Sequence, residues 1–161
     1  MPETAVLDTN IWLDWLVFDD PSAAPVRARV QSQALAVLAT PGMRAELVSV
    51  LTRPIMLARN PQAPARIEVF DAWVRMCAAP AACGLHCSDP DDRVFIDLAC
   101  EHKARWLITK DRALLRLVKA AMSRYRVRVV TPLAFGMSLA SNIPAPDGVA
   151  AAVPGGAPGS R

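Results

Sequence analysis

The stretch "AVLDTNIWLDWL", Ala5 to Leu16, sets an aspartate between two apolar runs near the start of the chain. Ala5, Val6 and Leu7 read as the end of a strand buried on both faces. Ile11, Trp12, Trp15 and Leu16 recur at helical spacing. Asp8 therefore falls where a strand gives way to a helix. A carboxylate there is poorly placed for solvation and well placed to reach into a cleft.

Outward from that turn the pattern alternates. Thr4–Asp8, Ala34–Thr40, Arg105–Thr109 and Arg126–Thr131 are short apolar runs of the kind found in fully buried strands. Helical stripes lie between them. Val26 and Val30 form a short one; Met43, Leu47, Val48, Val50 and Leu51 a longer one. Ile67, Val69, Phe70, Trp73 and Val74 follow, then Val94, Phe95, Leu98 and Ala99, then Leu114, Leu115, Leu117 and Val118. Strands alternating with helices predict a three-layer α/β/α sandwich with a mostly parallel central sheet. One domain spans residues 2–139. Residues 140–161, rich in Pro, Gly and Ala and without either period, read as a disordered tail.

The bulk numbers agree with one globular domain: 161 residues, 53% of them hydrophobic, with a net charge of only +3. No basic, apolar leader opens the chain, and no apolar run approaches the roughly 20 residues of a membrane span, so a soluble cytoplasmic protein is expected. The positive charge is uneven. Nine Lys and Arg residues crowd between Lys103 and Arg128, forming either a solvated surface or one that attracts phosphate. Cys77, Cys83, Cys87 and Cys100 read as free thiols; Cys77, Cys83, His86 and Cys87 lie close together, but not at the paired spacing of a zinc site. Trp12 and Trp15 suit the core better than a dimer surface or a seat for a partner helix.

Function in open parallel sheets gathers beyond the carboxyl ends of the strands. Asp8 is at such an end, and Asp111 follows another in "LITKDRALL". Asp111 also suits the N-cap of the next helix. In "SDPDDRVFIDLACEHKA", Asp89 and Pro90 start a helix, with Asp91 and Asp92 in its first turn. At about 100° per residue, Asp92 falls inside the apolar stripe of Phe95, Ile96 and Ala99, whereas Asp97 falls about 140° away on the polar face. A carboxylate in that stripe needs a partner. Glu46 sits at the edge of the stripe before it, with Arg53 as a candidate rim partner. Four such acids suit Mg²⁺ or Mn²⁺, hard cations held by a few carboxylates plus water and substrate phosphate. Neither His86 nor His102 belongs to an evident nucleophilic triad.

These motifs resemble the PIN-domain nucleases, in particular the bacterial group of VapC-type toxins. "VLDTNIWL", "RAELVSVL", "DPDDRVFIDLACEHKARWLITKDRALL" and "VRVVTPLAF" match the family's pieces in order over about residues 4–136. The resemblance implies an acidic quartet of Asp8, Glu46, Asp92 and Asp111, with Asn10 and Thr109 supporting it by hydrogen bonding. It leaves open whether Asp89 or Asp91, in the same turn, shares the role given to Asp92. It further implies Mg²⁺- or Mn²⁺-dependent cleavage of RNA, an antitoxin as partner, and a homodimer as a possible assembly. Lys110, Arg112 and Arg116 are then the expected contacts to the RNA backbone. A phosphatase of the haloacid-dehalogenase type would need a second acid where Asn10 stands. A non-catalytic PIN-like module for binding RNA or protein is the remaining alternative, distinguished by loss of acids that are all present here.

Overall fold

The computed structural model of the chain describes residues 1–141. Five strands pair in the order β3-β2-β1-β4-β5, all parallel: β1 (Glu3–Leu7), β2 (Leu35–Ala39), β3 (Val74–Met76), β4 (Trp106–Ile108) and β5 (Arg128–Val130). Helices cover both faces, giving the three-layer α/β/α sandwich. β1 is central, aligned with β2 at Val6 opposite Leu38 and with β4 at Leu7 opposite Ile108. From β1 the chain winds outward through β2 to β3, then returns to β4 on the other side. The order therefore reverses between β1 and β4, where parallel sheets open a crevice.

The local sequence explains the joints. Asp8 caps α1 (Thr9–Leu16), accepting from the Ile11 amide at 3.1 Å. Thr40 caps α3 (Pro41–Leu51) in the same way through the Met43 amide at 3.2 Å, with Pro41 pre-set for the first turn. Between them, α2 (Ala24–Gln31) packs on β2. α6 (Arg93–Glu101) buries Phe95, Ile96, Leu98 and Ala99 against β1 and β4, the stripe that its sequence predicts. α8 (Val118–Tyr125) stops at Arg126, which takes a left-handed backbone (φ 62°) before β5 begins. The final helix, α9 (Pro132–Ser141), starts on Thr131, whose hydroxyl accepts from the Ala134 amide.

Two sequence expectations need amendment. Val74 does not extend the Phe70 helix. α5 (Ile67–Trp73) ends before it, and Val74–Met76 forms β3 at the sheet edge. Three residues are too few to show a period of two, and Val74 continues the apolar spacing of the helix before it. The segment before α5, which had no sequence assignment, contains α4 (Pro54–Arg59) and a short 3₁₀ turn at Ala63–Arg66. Trp12 and Trp15 lie in the core, stacked on each other at 5.1 Å with Phe70 edge-on to Trp12. The proposed tail falls, from residue 142 on, outside the described residues.

Candidate active site

At the reversal point, the ends of β1 and β4, the middle of α3 and the start of α6 converge on one cleft of about 250 Å³. Asp8, Glu46, Asp92 and Asp111 all line it, with Thr9, Asn10 and Arg53 beside them. Asp8 is 3% exposed and uses both oxygens: Oδ1 accepts from Ile11, and Oδ2 from the Thr109 hydroxyl. The Thr109 hydroxyl in turn accepts from the Asp111 amide at 2.9 Å, so one buried hydroxyl ties the first acid to the turn of the last. Asp111 caps α7 (Arg112–Leu115) through a single oxygen, which accepts from Ala113 at 2.7 Å and Leu114 at 3.3 Å. Its structural and site-facing positions are therefore compatible.

Asp92 closes the short 3₁₀ turn Pro90–Asp92 and leads into α6. Its Oδ2 is buried and has no hydrogen-bond partner. Burial foremost, then the charges of Asp111, Asp89 and Asp8, push its carboxyl up to about 7. Burial also raises Asp8, opposed by the hydrogen bonds from Thr109, Ile11 and Asn10. Of the other acids in "DPDD", Asp89 caps the turn through the Asp91 amide and faces an adjoining open groove; Asp91 is exposed.

Glu46 accepts from the Thr9 hydroxyl at 3.2 Å. Arg53 does not pair with it and forms no ion pair among the described residues. Asn10 lends its backbone to Asp8 and lines both the cleft and the groove. Lys110 and Arg112 line that groove too, and Arg116 is exposed one turn beyond Arg112. Lys110 is not a free cation: its ammonium pairs with Asp14 of α1, whose side chain is only 8% exposed. The basic stretch also divides. Arg105 pairs with Glu3, and both Arg105 and Arg128 lie over the Trp106 ring, at the amino-terminal ends of the strands. Only Lys110, Arg112 and Arg116 belong to the acid end.

Sequence reading overlooked Thr9 and Asp14. Thr9 had a signal, standing between two residues already singled out. Asp14 had a fainter one, an acid among buried neighbours in a helix apolar on almost every side.

A model of the PIN domain matches residues 4–113. The chain belongs to the PIN-domain family. No curated protein matches it in sequence. In fold, this PIN domain is similar to a chain in the crystal structure of VapBC2 from Rickettsia felis bound to a DNA fragment from its promoter. The TM-score is 0.54 over 80% of this chain and 98% of that one, at 14% identity. In this PIN domain the four acids are distributed over the ends of β1 and β4, the middle of α3 and the start of α6. Among the described residues, no group of three or more His, Cys, Asp or Glu side chains is disposed to hold a metal ion as it stands. What the cleft shows is an all-oxygen donor set, an orphaned buried carboxylate oxygen, and a carboxyl forced toward its neutral form. Those are the marks of a site that lacks positive charge, and they fit a hard divalent cation.

Proposed function

We propose that this chain is a divalent-metal-dependent ribonuclease, acting as the toxin of a toxin–antitoxin pair. The observation that carries the reading is Asp92. Its Oδ2 is buried and unpartnered, and it stands in one cleft with three other acids at the reversal point of the sheet. A cation there would complete what the protein leaves unsatisfied. Asp8, Glu46, Asp92 and Asp111 would hold Mg²⁺ or Mn²⁺. When bound, the ion would supply an acidified water and neutralise charge on the phosphodiester.

The chain's own residues do the rest. Thr109 fixes Asp8 and the Asp111 turn in one orientation, and Thr9 draws Glu46 toward the cleft. Asn10 marks the rim shared by the cleft and the groove, along which Lys110, Arg112 and Arg116 would meet the RNA backbone. Because Asp14 already neutralises Lys110, Arg112 and Arg116 carry more of that attraction. The catalytic unit is residues 2–139, and its substrate places it in the cytoplasm; among the described residues, no helix is long and apolar enough to cross a membrane. The Rickettsia felis neighbour was solved as a VapBC2 complex, which supports an antitoxin as the partner sought first.

The test is cleavage of a mixed RNA pool in Mg²⁺ or Mn²⁺ against EDTA, for wild type beside Asp8→Asn. Metal-dependent cutting that the variant lacks supports the reading. A folded wild type that binds RNA but never cuts it would instead indicate a PIN-like binding module.

A further inference from the structure

Among the described residues, Arg53 is the one cation lining the acid cleft. We propose that Arg53 is the cleft's phosphate-binding residue, gripping the backbone of the nucleic-acid strand beside the acid cluster. This rests on the nuclease reading above and adds to it the residue that holds the strand in place.

The backbone places Arg53 with little freedom. Proline at the next position disfavours helical geometry at residue 53 by steric clash, so the chain turns at "RP" just after the end of α3. Arg53 accordingly has an extended backbone, φ −67° and ψ 145°. Its amide donates to the Val50 carbonyl at 3.1 Å, and its own carbonyl accepts from Met56 at 2.9 Å and Leu57 at 3.1 Å. Glu46 and Val50 share one face of α3, Arg53 stands just past its end, and all three line the cleft. Glu46 is engaged by Thr9, and the guanidinium has no ionic partner among the described residues.

The electrostatics give that free guanidinium a use. Four carboxylates repel an approaching phosphodiester, and a bound divalent ion offsets only part of their charge. A planar guanidinium presents two parallel N–H donors to a phosphate, a geometry that a point charge such as lysine does not reproduce. Arg112 lies on the groove side of the cluster, with Arg116 exposed one turn beyond it, whereas Arg53 lines the cleft itself. A strand running from the groove across the acids would meet cations on both sides of the cluster.

The test compares wild type with Arg53→Gln, Arg53→Lys and the control Lys103→Gln, which removes the same charge from the opposite end of β4. Binding of a fluorescein-labelled single-stranded RNA oligonucleotide is followed by anisotropy in EDTA over a salt series. Mn²⁺ affinity and single-turnover cleavage are measured alongside. Arg53→Gln should weaken RNA binding about tenfold, and the salt slope should fall by about 1. Arg53→Lys should recover part of the affinity, and Lys103→Gln should show little loss. Each variant should keep a cooperative melting transition, since the Arg53 backbone bonds survive any side chain. An Arg53→Gln protein that binds RNA no worse than Lys103→Gln overturns the assignment. So does one that binds RNA normally and only holds Mn²⁺ more tightly, because Arg53 would then be a mere counter-charge. If wild type cuts RNA while Arg53→Gln cuts and binds equally well, the nuclease reading stands and this inference alone fails. If wild type neither binds nor cuts RNA, both fail.

Discussion

Raising the pH should destabilise the metal-free protein, and Asp92 sets the size of the effect. Its carboxyl is pushed from an ordinary 3.8 up to about 7 in the folded chain. Between those values the folded state holds a proton that the unfolded state has lost, so this stability is complete below about 3.8 and falls as pH rises through 7. The full shift corresponds to about 4 kcal/mol at 1.36 kcal/mol per unit. Asp92 is only half-buried, and solvent screening reduces that to about 1–2 kcal/mol. Asp8, also raised by burial, acts in the same direction. About two thirds of that loss falls between pH 5 and pH 8, and for a chain of this size it appears as about 2–4 °C in melting temperature. The assay is calorimetric melting in EDTA at both pH values, for wild type and Asp92→Asn. The variant should lose most of the dependence and melt above wild type at pH 8. A wild type equally stable at both pH values, or an Asn variant with the wild-type slope, would refute the electrostatic account of the cleft.

Other consequences follow from individual contacts. Thr109→Val strips a donor from Asp8 and an acceptor from the Asp111 amide, and should cost about 1–3 kcal/mol by denaturant unfolding; Thr109→Ser should recover most of it. Lys110→Met leaves Asp14 buried without its cation and should cost about 2 kcal/mol. Because the pair is coupled, Lys110→Met with Asp14→Leu should cost less than the sum of the two single changes. Thiol labelling with Ellman's reagent at pH 8 should reach Cys77 first and Cys100 last. Burial, then the neighbouring Cys83, pushes the Cys100 thiol to about 12, and it is 3% exposed. Early modification of Cys100 in native protein would contradict that packing.

The sheet was legible where strands are buried on both faces, because a continuous apolar run is hard to mistake when helical stripes flank it. Each of the four strands ends one residue short of its apolar run, and the excluded residue is the informative one. Asp8, Thr40, Thr109 and Thr131 all hydrogen-bond back as caps or ties. β3 was hidden because three residues at an edge bury too little to leave a pattern. The acids were visible because charge inside an apolar stripe is costly, and Asp92 stood out from Asp89 and Asp91 on that ground. Partnerships were not legible. Glu46 meeting Thr9 rather than Arg53, and Asp14 holding Lys110, depend on how α1 lies against α3 and against the turn after β4. Periodicity along one helix carries no information about that. The basic stretch misled for a related reason: Arg105 and Arg128 are near Lys110 in sequence but lie at the other end of their strands.

The central claim is that the four carboxylates form a cation site whose filling displaces the proton on Asp92. Titration calorimetry of Mn²⁺ into the protein at pH 6.5, in two buffers of different ionisation enthalpy, tests it most directly. The account predicts saturable binding with net proton release in wild type, and weakened binding with little release in Asp92→Asn. No saturable binding in folded wild type, or equal affinity and equal proton release in the variant, would contradict it.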